Sequence, residues 1–150
     1  MSENDLVPIS MPDYVGDENA FLSGDPESDR LEVKYFLRRE DNAVVARTWF
    51  GGQPEGPPKC AHGGSIASVL DESMGAVCKV TGHTVLGARL NVRFRRPVPL
   101  GTRVNVVAKI AGLRGRTVNA RAWMKDAETG FLYAEAAGVY VEINSRRSGR

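Results

Sequence analysis

The sequence predicts an α+β fold: a curved antiparallel β-sheet wrapped around one long central α-helix. Three observations carry this expectation. Helical periodicity is sustained in one place, Ser65 to Val80, where Ile66, Val69, Leu70, Ser73, Val77 and Val80 recur three or four residues apart. Six other segments read as strands, and most alternate apolar and polar residues with the period of two expected of a half-buried strand. The links among the last four strands are too short for parallel crossovers and favour antiparallel hairpins.

The elements follow in order. Residues 1–30 form an acidic, loosely ordered leader rich in Pro and Gly, with a helical turn expected near Glu18 to Leu22. Leu31 to Arg39 and Ala43 to Phe50 are strands joined by the turn Glu40-Asp41-Asn42. Gly51 to Lys59 is a loop in which two adjacent prolines restrict the backbone before the helix starts. The helix ends at Gly82. Its apolar stripes cover much of its circumference, so the sheet should largely enclose it. In Val85 to Arg95, Leu86, Ala88, Leu90, Val92 and Phe94 should face the core, with Arg89, Asn91 and Arg93 on the other side. Three further strands run near 103–110, 117–124 and 131–143, separated by Pro97–Gly101, Gly112–Gly115 and Asp126–Gly130 as tight connections. Trp123, on an otherwise polar strand face, is a candidate subunit contact. Residues 144–150 are a basic tail.

Composition narrows the class. A chain of 150 residues with 42% hydrophobic and 25% charged residues suits one soluble domain, here residues 31–143, with a core that needs no staples. Two cysteines make no disulfide framework, and no signal peptide or spanning apolar run is visible. The expectation is a cytoplasmic protein without a membrane partner. The net charge of +2 hides an asymmetry: residues 1–30 hold eight acids and one base, while residues 31–150 hold ten acids and nineteen bases. A basic body suits a polyanionic ligand, though a solvated surface is the simpler account of charge alone.

Ala61 to Gly75 carries the chemistry. A His-Gly-Gly triplet, His62-Gly63-Gly64, opens the helix, where free backbone N–H groups can polarise a carbonyl. Asp71 lies two turns inside, on a stripe with Ala67, Met74 and Cys78. These apolar flanks argue that it is more than a solvated carboxylate, because burying a charge is expensive. Glu72 lies on the stripe of Ser68, Gly75 and Lys79, where a surface role is expected.

The element order, Ala-His-Gly-Gly-x6-Asp-Glu-x-Met-Gly at the helix and Asn91-Val92-Arg93-Phe94-Arg95-Arg96-Pro97-Val98-Pro99-Leu100-Gly101 after it resemble the hotdog-fold acyl-CoA thioesterases, in the phenylacetate-pathway and thioesterase-superfamily-member branch. The resemblance covers about residues 31–143. It implies hydrolysis of an acyl-CoA to a carboxylic acid and free coenzyme A, with coenzyme A entering as part of the substrate and no resident cofactor. It also implies a homodimer with active sites at the subunit boundary; many members are dimers of dimers. The implied roles are Asp71 as general base or nucleophile, the Gly63 N–H as oxyanion donor and His62 as the group that positions the carbonyl. Gly64 and Gly87 would give the substrate close approach and room, and Arg95, Arg96, Arg114 and Arg116 would grip the coenzyme A phosphates.

The sequence departs from the family at two helper positions. A Thr or Ser often found on the strand after the helix is Gly87 here, and an Asn found six residues before the His is Gly56. Thr84 is at an odd offset from Gly87, which on a strand points to the opposite face. These departures keep a non-catalytic acyl-CoA-binding module in view as a rival, and His62 with Asp71 as an acid–base pair keeps a hydratase or dehydratase as a further one. Cys60, His62, Cys78 and His83 lack metal-ligand spacing, so no metal is expected. Arg114-Gly115-Arg116 lacks the interleaved aromatics of a nucleic-acid site.

Overall fold

The computed structural model describes residues 5–9, 31–51 and 58–143. Among them the chain forms β1 (Leu6–Pro8), β2 (Leu31–Arg38), β3 (Ala43–Phe50), α1 (Gly63–Val80), β4 (Val85–Phe94), β5 (Arg103–Arg114), β6 (Thr117–Asp126) and β7 (Leu132–Glu142). Every strand pairing is antiparallel, and the sheet order is β1-β2-β3-β5-β6-β7-β4. The helix packs on one face, in contact with β2 through β7. The expected helical turn near Glu18 to Leu22 and the tail at 144–150 lie outside the described residues.

The core is where the two periodicities meet. Ile66, Val69, Leu70, Met74 and Val77 of α1 are buried against Val44 and Ala46 of β3, Val104 and Val106 of β5, and Val118, Ala120 and Met124 of β6. Each fully buried side chain of this kind stabilises the fold by about 1.5–3 kcal/mol. Ser73 lies in the apolar stripe at no cost in unmet polarity, because its Oγ donates to the Val69 carbonyl at 2.7 Å.

Several expectations change. Part of the leader is ordered: β1 pairs with β2 in the register Leu6 with Arg38 and Pro8 with Phe36. The helix starts two residues earlier than its apolar spacing indicates, since glycines carry no periodic signal. The sheet covers one side of α1 rather than enclosing it, leaving Gly64 and Asp71 exposed.

The largest correction concerns β4. It does not form a hairpin with β5. Among the described residues it pairs with β7 alone and stands at the sheet edge. Pro97 and Pro99 cannot donate to a ladder. Instead the connecting segment crosses to the helix start, where the Ala61 N–H donates to the Val98 carbonyl at 2.8 Å and the Leu100 N–H to the Lys59 carbonyl at 3.0 Å. The β4 ladder also shifts register between Gly87 and Arg89, leaving Ala88 out. The extra residue turns over only the start of the strand: Val85 and Gly87 face the helix in place of Leu86, while Leu90, Val92 and Phe94 keep the expected face, and Leu90 and Phe94 owe their exposure to the sheet edge. Val85 and Val92, seven positions apart, both pack against the core, while Leu86, Leu90 and Phe94 are exposed.

Candidate active site

Two features of the chain build the site: the start of α1 and the pocket beside its third turn. His62 is the N-cap residue, in extended conformation at φ −64° and ψ 137°. Its carbonyl accepts from the Ser65 and Ile66 N–H groups at 3.0 and 3.2 Å, and its Nδ1 accepts from the Gly64 N–H at 2.8 Å. A neutral ring that accepts at Nδ1 carries its proton on Nε2. The fold-back of His62 explains Gly64: a Cβ there would lie 3.0 Å from His62 Nδ1. Gly64 thus serves the cap, and its N–H is occupied rather than open to a substrate as expected. Among the described residues nothing accepts from the Gly63 N–H, which remains at the positive end of the helix dipole. The Phe94 ring lies beside it; a Cβ on Gly63 would be 3.5 Å from its Cζ. Gly56 lies outside the described residues.

The pocket beside the third turn is lined by Asp71, Glu72, Thr84, Leu86, Gly87 and Tyr140, with Lys79 and His83 towards the helix end. It brings Asp71 and Gly87 of one chain together. Thr84 lines it too; it precedes β4, so strand parity does not govern it. His83 Nδ1 pairs with the Glu142 carboxylate, which holds the imidazole between α1 and β7.

The two carboxylates reverse their expected surroundings. Asp71 is exposed, and its Oδ1 accepts a 2.7 Å hydrogen bond from the Tyr140 hydroxyl. Glu72 is half-buried and accepts from the Tyr35 hydroxyl. Burial pushes the Glu72 carboxyl above its ordinary range; the Tyr35 hydrogen bond opposes this and the adjacent Asp71 charge adds to it. Burial likewise raises the Cys78 thiol to about 11, which leaves it an inert core group.

The four arginines do not gather in one chain. Arg95 pairs with Glu135 at 2.9 Å, and Arg96 stacks over the Phe131 ring at 4.7 Å, both at the Phe94 end of β4. Arg114 ends β5, and Arg116 donates to the Glu142 carbonyl at 2.8 Å, close to Val85 at the other end of β4. Nine strand steps separate those ends by about 30 Å. Trp123 is half-buried, with the Arg121 guanidinium 5.8 Å from its ring centre.

Sequence reasoning missed both tyrosines. Tyr140 was legible in principle: it falls on the inward parity of β7, and a buried tyrosine hydroxyl usually finds a partner.

One long helix laid across a single antiparallel sheet, with a glycine-rich helix start and an acid two turns on, defines the hotdog class of thioester-handling domains. Residues 59–132 match the family model of the thioesterase superfamily. It is 30% identical over 122 residues to acyl-coenzyme A thioesterase THEM4 of Bos taurus, covering 80% of this chain and 50% of that protein. The chain spans about half the length of the curated relatives it matches. In fold it is similar to a thioesterase superfamily protein (TM-score 0.70, 24% identity, 74% of this chain and 54% of that one). It is also similar to the PaaI protein of the E. coli phenylacetic acid degradation operon (TM-score 0.67, 16% identity, 76% and 80%).

Proposed function

We propose that the protein hydrolyses an acyl-CoA thioester to a carboxylic acid and free coenzyme A, and that it does so as a homodimer. The observation that carries this reading is the open Gly63 N–H at the helix start together with the Asp71 carboxylate on the same helix. The thioester oxygen accepts from the Gly63 N–H, where the helix dipole offsets the charge that develops on it. Asp71 delivers the oxygen nucleophile, by taking a proton from water or by attacking the carbonyl itself. The thiolate of coenzyme A then leaves. The likeness to an acyl-coenzyme A thioesterase supports this substrate class.

The dimer follows from distance. Eight residues of helix put about 12 Å between the Gly63 and Asp71 backbones, whereas donor and nucleophile must both lie about 3 Å from the reacting group. One chain therefore cannot apply both to one carbonyl. The α1 start lies beside Phe94, and its third turn lies beside Gly87, so α1 and β4 run in opposite directions. Antiparallel pairing of two β4 edges would bring Gly63 of one chain towards Asp71 of the other. The same pairing would bring Arg114 and Arg116 of one chain towards Arg95 and Arg96 of its partner, making one cationic cluster for the phosphates. It would also cover Leu86, Leu90 and Phe94, now 63%, 42% and 55% exposed.

Thiol release from short, medium, long and aromatic acyl-CoAs tests the activity. Asp71→Asn is expected to lower kcat by about 10²-fold or more. Acyl-CoA binding without turnover by the parent protein would install the binding-module reading. Hydration of an enoyl-CoA without thiol release would install the hydratase.

A further inference from the structure

Asp71 is exposed, and an exposed carboxylate samples several rotamers unless something holds it. Tyr140 does so. Its hydroxyl donates to Asp71 Oδ1 at 2.7 Å and lies 3.2 Å from the Asp71 carbonyl oxygen. Tyr140 as a residue is 4% exposed, so it is a fixed support rather than a mobile surface group. It crosses from β7 to α1 through a slot that the absent side chain of Gly138 leaves open. Gly87 is its partner in the β4–β7 register, where a Cβ would stand in ordinary contact, 3.7 Å from the ring. Gly138 is tighter: a Cβ would lie 2.6 Å from Tyr140 Cε2, 3.1 Å from its hydroxyl and 3.1 Å from Met74 Cε. Any side chain at position 138 would displace the ring or Met74.

We propose that Tyr140 is the positioning residue of the Asp71 carboxylate, fixing one oxygen so that the other faces the thioester. This rests on Asp71 acting as proposed above. Tyr140 keeps its proton throughout and touches no reacting atom; it acts only through Asp71. Gly138 has a connected role, which is to leave the ring its path.

The test is Tyr140→Phe in the full chain, assayed with the best acyl-CoA found for the parent protein. The ring and its packing remain, so the unfolding midpoint should stay within a few degrees of the parent's. The expected result is a fall in kcat of about 10- to 100-fold, the range that small misplacements produce, with KM little changed. In an Asp71→Asn background Tyr140→Phe should cause no further loss, because the two groups act as one unit. A parental kcat in Tyr140→Phe, a rise in KM alone, or losses that multiply in the double variant would each overturn the proposal while leaving the hydrolase reading standing. A parent protein that releases no thiol from any acyl-CoA would overturn the hydrolase reading and this inference together.

Discussion

At the scale of single residues, the most consequential neighbours are Asp71 and Glu72, each held by a tyrosine from a different strand. Their environments separate two tasks: the exposed carboxylate is available to a substrate, and the half-buried one ties α1 to β2. Glu72 also makes a stability prediction. Its carboxyl titrates above the ordinary range in the folded chain, so the unfolded chain ionises first as pH rises. Stability should fall across that window and stay lower above it. Glu72→Gln keeps an oxygen for Tyr35 and carries no charge. It should unfold at a higher temperature than the parent at about pH 8, with the difference vanishing near about pH 4; thermal scans across that range check it, and an advantage that grows in acid would contradict it. The helix stripes picked out Asp71 but assigned the wrong surroundings to both acids. Met74 and Cys78 do turn into the core, yet Asp71 sits where the sheet edge ends, and no periodicity reports where an edge lies.

At the scale of elements, the turns and caps are local devices, and these were largely legible. The β6–β7 connection is an example. Asp126 accepts from the Glu128 and Thr129 N–H groups, each at 2.9 Å, and from the Tyr133 hydroxyl at 2.7 Å. The Thr129 N–H, then Tyr133, then the Glu128 N–H hold its carboxyl down at about 2. A depressed carboxylate stabilises the fold above its ordinary range and loses that contribution as pH falls towards the depressed value. Asp126→Asn should therefore be less stable than the parent at neutral pH, and the gap should close as the pH is lowered towards about 2; chemical unfolding at several pH values measures it. β4 shows the opposite case. Its alternation is real, but the bulge at Ala88 turns over its first residues, so that Val85 rather than Leu86 packs inward, and its short link to β5 does not mean pairing because two prolines cannot donate to a ladder.

At the scale of the whole molecule, the proposed dimer has a specific signature. Gly63→Pro removes the single N–H in question at the first helical position, where proline is well tolerated. The extended His62 already has the conformation that a residue before proline prefers. Gly63→Pro and Asp71→Asn should each fall to about a hundredth of parental activity alone. Mixed by co-refolding, they should regain about a quarter of parental activity, since half the dimers are mixed and one of their two sites is intact. No recovery, with mixed dimers demonstrated, would place both groups in one chain and end the shared-site reading.

What the sequence determined by itself is what acts over a few residues. The period of the helix, the alternation of most strands, the turns and the cap-forming His-Gly-Gly triplet are read from neighbours in the chain, and the physics behind them is local sterics and backbone hydrogen bonding. The tertiary structure alone decided which strand became the edge, how far Gly63 stands from Asp71, and which hydroxyl holds that carboxylate. Tyr140 and Asp71 are 69 positions apart. They meet because β7 packs across α1 and because Gly138 leaves space for a ring. That coincidence of packing has no period and no local motif, so it becomes visible when the sheet closes on the helix.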